Sequence, residues 1–98
     1  MGEPRFWNLV LYDVCDDRRL RRVHKLLTAW GTPVQYSVFR VRCTARDLER
    51  LRYELACELG DDDRLVVVQL CERCAGRVSS QGRQLGPLDP AVPPTRLV

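Results

Sequence analysis

The stretch LVLYDVCDDRRLRRVHKLLTAWG, Leu9 to Gly31, holds the passage from strand to helix on which the reading of the fold rests. Its first residues belong to FWNLVLYD, Phe6 to Asp13, which is rich in aromatic and branched side chains, apolar at both parities and closed by an acid. That pattern reads as a buried strand. Asp16 and Asp17 supply the acceptors and the negative charge that the first turn of a helix needs. Leu20, Val23, Leu27 and Trp30 then recur at three- and four-residue steps, with Leu26 beside them, and Gly31 stops the stripe. The remaining face is basic, carrying Arg18, Arg19, Arg21, Arg22 and Lys25. A strand-closing acid alone would need no such company, whereas a phosphate-binding or metal-assisted site needs both signs close together.

Outward from this core, VQYSVFRVRC, Val34 to Cys43, alternates as a strand does but offers no Gly, Asn or Pro for a hairpin turn. One strand or two therefore stays open. Thr44 followed by Asp47 resembles a capping box, and Leu48, Leu51, Leu55 and Leu59 form the stripe of a second helix ended by Gly60. DDDRLVVVQL gives an acidic loop and a strand over Leu65 to Leu70. Beyond Gly76 the composition shifts to Gly, Pro and Ser and reads as an extended tail.

Strand, helix, strand or hairpin, helix, strand suits a ferredoxin-like α+β sandwich, with two helices on one face of an antiparallel sheet. FWNLVLY and LVVVQL are apolar at both parities, as in sheets covered on both sides, yet two helices cover only one side. The expectation is a homodimer stacked through the open sheet faces, with the tail free to add an edge strand to its neighbour. Residues 1–82 are assigned to this domain and 83–98 to the tail.

At 98 residues, 45% hydrophobic and 30% charged, the chain is the size of one globular domain. No apolar run approaches membrane-spanning length, and MGEPRFW lacks the pattern of a secretory signal, so the expected address is cytoplasmic, away from any membrane. The net charge of +3 matters less than its concentration on one helix. Five cysteines, Cys15, Cys43, Cys57, Cys71 and Cys74, are odd in number and scattered, and most are expected to be small buried hydrophobes. CERC, Cys71 to Cys74, is the one close pair. Structural zinc needs four ligands and the only histidine, His24, is far away in sequence, so the pair reads as a strand-end turn, with zinc or a redox disulfide as the alternatives.

Asp13 is the first candidate for chemistry. A carboxylate at a strand's end can hold Mg²⁺, which favours oxygen ligands and keeps several waters, so one acid per chain suffices if a symmetric partner adds another. The alternative is a loop-side acid bonded to backbone amides or paired with a nearby arginine. Arg18, Arg19, Arg21, Arg22 and Lys25 are the second, because guanidinium groups grip phosphate in bidentate geometry and acids are nearly missing between Arg18 and Trp30. His24, among five cations, reads as a surface or phosphate-contacting residue. Tyr36, Ser37 and Phe39 can stack a base or donate to phosphate, although strand aromatics usually belong to cores.

Together, YDVCDD (Tyr12 to Asp17), the basic helix start reaching Arg22, VQYSVF (Val34 to Phe39) and QLCERC (Gln69 to Cys74) resemble the small CRISPR-associated endonuclease family, the partner of the CRISPR integrase in spacer acquisition. The resemblance runs to about Gly82, and Leu20 departs from it where many relatives carry another arginine. It implies a ferredoxin-like homodimer in which Asp13 of both chains holds Mg²⁺ or another divalent cation. Tyr12, Arg22, Ser37 and Phe39 would lie close enough to help position the attack on a phosphodiester of RNA or DNA. It equally implies a non-catalytic scaffold that holds nucleic acid and spans integrase dimers in a prokaryotic cytoplasm. A regulatory module sharing only the fold is the third reading.

Overall fold

The computed structural model describes residues 3–35 and 37–79. The elements are β1 (Arg5–Asp13), α1 (Asp17–Trp30), β2 (Thr32–Gln35), β3 (Val38–Thr44), α2 (Ala45–Glu58), β4 (Arg64–Leu70) and a single helical turn, α3 (Glu72–Ala75). The four strands form one antiparallel sheet in the order β2-β3-β1-β4, the ferredoxin-like arrangement expected from the element order.

Both long helices begin where side-chain chemistry dictates. Asp16 caps α1 by accepting the Arg19 backbone N–H at 3.0 Å, and Thr44 caps α2 by accepting the Asp47 N–H at 3.1 Å. Gly31 ends α1 in extended backbone rather than in a left-handed turn. A side chain there would collide with the Arg40 carbonyl and the Val41 methyl, so glycine is needed for the close approach of helix end to β3. The α2 stripe closes one residue early, with Leu59 as C-cap. VQYSVFRVRC resolves into two strands: Ser37 lies in the turn between β2 and β3, and a register shift between Pro33 and Gln35 bends the edge strand.

The register divides β1 by parity. Val10 lies between Phe39 and Val67, and with Tyr12, Val41 and Cys43 it meets Val23 and Leu27 of α1 and Leu48, Leu51 and Leu55 of α2 in the core. The opposite parity forms three cross-strand rows: Trp7 with Arg42 and Leu70, Leu9 with Arg40 and Val68, Leu11 with Val38 and Val66. Neither α1 nor α2 covers this second face, and Val66 and Val68 are 54% and 41% exposed. The Arg40 guanidinium lies 5.5 Å from the centre of the Trp7 ring, so this cation leans on aromatic surface.

The expectation for the cysteines needs correction, because only Cys43 is buried and Cys15, Cys57, Cys71 and Cys74 are exposed. Cys15 stands in the loop after β1, Cys57 falls off the Leu48-Leu51-Leu55 stripe, Cys71 caps the turn of α3, and Cys74 lies within that turn. Burial pushes the Cys43 thiol up to about 11. The expected tail, 83–98, lies outside the described residues. Among the described residues no helix is long and apolar enough to cross a membrane.

Candidate functional site

Asp13 is the last residue of β1, exposed, and opposite Arg64 in the β4 register. Among the described residues its carboxylate has no hydrogen-bond or ion-pair partner. The alternative of a structural acid paired with Arg19 or Arg22 is thereby set aside, since both arginines are engaged elsewhere. Arg19 donates from Nε to Asp63 Oδ2 at 2.8 Å and from Nη2 to Oδ1 at 3.3 Å, while Arg22 Nε donates to Glu58 Oε1 at 2.9 Å.

Asp63 is the residue that sequence reasoning missed. Its side chain is fully buried, and besides Arg19 it accepts the backbone N–H of Cys15 at 2.9 Å and of Gly60 at 2.8 Å. One carboxylate thus ties the loop after Asp13, the first turn of α1 and the loop between α2 and β4 into a single knot. The Arg19 hydrogen bonds, then the Cys15 and Gly60 amides, hold Asp63 well below the usual carboxylate range. A signal did exist: antiparallel pairing of β1 with β4 brings the residues before β4 alongside those after β1, so an acid just before Arg64 faces the Cys15 loop.

The hairpin turn is sewn to the same strand end, because the Tyr12 backbone N–H donates to the Ser37 carbonyl at 3.1 Å. Ser37 is half-buried there. Tyr12 and Phe39 turn their rings into the core, with centroids 6.2 Å apart, and His24 meets Phe39 edge-on at 5.2 Å. Burial pushes the Tyr12 hydroxyl above its ordinary pKa. Both rings support the site from beneath: they fix where β1 and the hairpin end, and Phe39, with no exposed surface, offers no face for a base to stack on. Tyr36 lies outside the described residues.

Of the five basic side chains on α1, Arg19 and Arg22 are paired with acids from the α2–β4 loop and α2. Counting acids along α1 alone hid these partners. Arg18, Arg21 and Lys25 follow one another at helical spacing, are exposed, and have no ion-pair partner among the described residues. Arg22 stays 56% exposed despite Glu58, so it can turn to a phosphate. Leu20 packs against the core.

No group of three or more His, Cys, Asp or Glu side chains able to hold a metal ion occurs among the described residues. Asp13 offers a single hard-oxygen carboxylate at this strand end, which fits Mg²⁺ only where a second carboxylate, water and phosphate complete the shell.

The family model for CRISPR-associated protein Cas2 matches residues 6–78. The CRISPR-associated endoribonuclease Cas2 2 of Methanospirillum hungatei is 31% identical over 74 residues, covering 76% of this chain and 83% of the relative. The CRISPR-associated endoribonuclease Cas2 of Thermus thermophilus is 35% identical over 77 residues, covering 78% of this chain and 82% of the relative. Among solved structures, Streptococcus pyogenes Cas2 at pH 6.5 superposes with a TM-score of 0.69 at 29% identity, covering 78% of this chain and 99% of that one. A hypothetical protein from Thermus thermophilus, TT1823, superposes with a TM-score of 0.76 at 31% identity, covering 85% of this chain and 98% of that one.

Proposed function

The chain belongs to the CRISPR-associated Cas2 family, and from that premise we propose that it serves CRISPR spacer acquisition as a homodimeric, Mg²⁺-dependent endonuclease that also bridges integrase dimers. The observation that carries the catalytic reading is the exposed Asp13 carboxylate, without a partner among the described residues, at a strand end braced on both sides by Asp63 and Ser37. An acid left without a structural duty, on a rigid base, is disposed for a ligand.

Asp13 of each protomer would hold the ion, which when bound supplies Lewis-acid polarisation of a phosphodiester oxygen and a water more acidic than bulk water. Arg18, Arg21 and Lys25 neutralise backbone phosphates along α1 and orient the strand, and Arg22 can join them by releasing Glu58. The Ser37 hydroxyl, on a turn anchored to Tyr12, is a neutral donor toward the same phosphate. Relatives named endoribonucleases favour RNA as substrate, with DNA as the other polymer to test. The test is cleavage of single-stranded RNA and duplex DNA with Mg²⁺ and after chelation. Cutting that survives chelation overturns the metal-dependent reading.

One observation favours a scaffold as the second reading: Arg18, Arg21 and Lys25 form an exposed basic stripe, whereas no cluster of metal-ligating side chains occurs among the described residues. Changing these three to Gln is expected to lower the slope of log K against log salt by about 0.7 to 0.9 for each phosphate that is no longer neutralised. Filter binding over a salt series measures it. An unchanged slope means the stripe touches solvent only.

Dimerisation is proposed through the sheet face opposite α1 and α2, where Val66 and Val68 are exposed. Val66→Lys with Val68→Lys is expected to convert a micromolar dimer to monomer in sedimentation, because each dimer would bury four new cations. A wild-type monomer at that concentration, or an undisturbed dimer in the variant, removes this face from the interface.

A further inference from the structure

Cys71 and Cys74 have no part in the nuclease or scaffold reading. Cys71 directly follows β4 and caps α3, and its sulfur accepts the Cys74 backbone N–H at 3.4 Å. That nitrogen is three bonds from the Cys74 sulfur, so rotation about the Cys74 Cα–Cβ bond brings the two sulfurs within reach of each other. Both side chains are exposed, unlike Cys43. The turn that carries them is anchored through buried Ala75, which packs α3 against β1 and β4, so the pair sits on a fixed part of the domain. The two thiols are chemically unequal. The Cys74 amide draws the Cys71 thiol below its ordinary pKa, and hydrogen bonding to Cys71 keeps the Cys74 thiol protonated to higher pH.

We propose that Cys71 and Cys74 form a reversible dithiol–disulfide couple in which Cys71 is the attacking sulfur and a low-molecular-weight disulfide, such as glutathione disulfide, is the oxidant. The Cys71 thiolate attacks one sulfur of glutathione disulfide. A Cys71–glutathione bond forms, the glutathione S–S bond breaks, and one glutathione leaves as thiolate. Cys74 releases its proton to solvent and attacks the Cys71 sulfur, and the second glutathione leaves as thiolate. The protein gives up two electrons and two protons, and one disulfide becomes two thiols. The product closes a covalent ring around the first turn of α3, where the chain leaves the sheet. Excess reduced glutathione reverses both steps.

The test uses the full chain, reduced and then equilibrated in glutathione buffers from reducing to oxidising, acid-quenched, alkylated and digested with trypsin. Cleavage after Arg64, Arg73 and Arg77 places the two cysteines on separate peptides, 65–73 and 74–77. A Cys71–Cys74 bond therefore appears as a linked pair lacking two hydrogens. The linked pair is expected to accumulate while Cys15 and Cys57 remain open to alkylation. Cys74→Ser should trap glutathione on Cys71, and Cys71→Ser should take it up at Cys74 at least about threefold more slowly. Full alkylation of both thiols in oxidising buffer overturns the proposal, as does glutathione spread evenly over all exposed cysteines. Stoichiometric zinc that shields the pair until a chelator is added also overturns it, in favour of a metal half-site.

Discussion

Asp13→Asn is expected to lower Mg²⁺-dependent cleavage by about a hundredfold or more while leaving the melting temperature within a few degrees of wild type. The substitution keeps the size of the side chain and most of its hydrogen-bonding capacity but removes the charge that attracts the ion. In a symmetric dimer it does so twice, so the loss exceeds that of a single ligand. Stability should hold because the carboxylate is exposed and makes no bond among the described residues. Nucleic-acid binding should hold because Arg18, Arg21 and Lys25 are untouched. Three measurements decide the matter together: cleavage of RNA and duplex DNA, a thermal melt and a binding isotherm. Equal cleavage by both proteins sinks the assignment of Asp13, and a wild type that binds tightly but never cuts replaces the nuclease by the scaffold. Loss of stability in the variant would mean that Asp13 has a structural duty after all.

The fold was legible where local chemistry decides it. Asp16 and the Thr44–Asp47 pair mark helix starts that depend on backbone donors a few residues away, Gly31 marks the end of α1, and the structure places those ends at the same residues. The hairpin between β2 and β3 was not legible, because its turn uses neither Gly, Asn nor Pro and is fastened from outside, by the Tyr12 amide on the Ser37 carbonyl. Cys57 misled because its type suggested burial while its helical phase pointed to solvent. The site divides in the same way. Asp13 stood out from its position at a strand end. The partners of Arg19 and Arg22, by contrast, lie 44 and 36 residues away along the chain, beyond any pattern within one helix. Phe39 and Tyr12 carried the motif, but the structure places both in the core, and burial decides how they act.

Asp63→Asn is expected to lower the melting temperature at pH 7 by about 8 °C or more. The buried carboxylate accepts from two backbone amides and from Arg19, and the amide that replaces it brings two donors toward those same donors. Arg19 would lose its counter-charge as well. The pH dependence separates this from a packing defect. Asp63 has a pKa below the ordinary value of about 4 in the folded chain, so the unfolded chain binds its proton first as acid is added. Its stabilisation is therefore complete above the unfolded value and declines as pH falls from about 5 toward the folded one. The gap between wild type and Asp63→Asn should be widest at neutral pH and narrow steadily in acid. A packing defect would leave the gap constant. Cleavage adds a second axis: the Cys15 loop released by the substitution directly follows Asp13, so below its melting temperature the variant should also cut more slowly. A folded variant with wild-type cleavage would show that Asp63 holds the fold together without positioning Asp13.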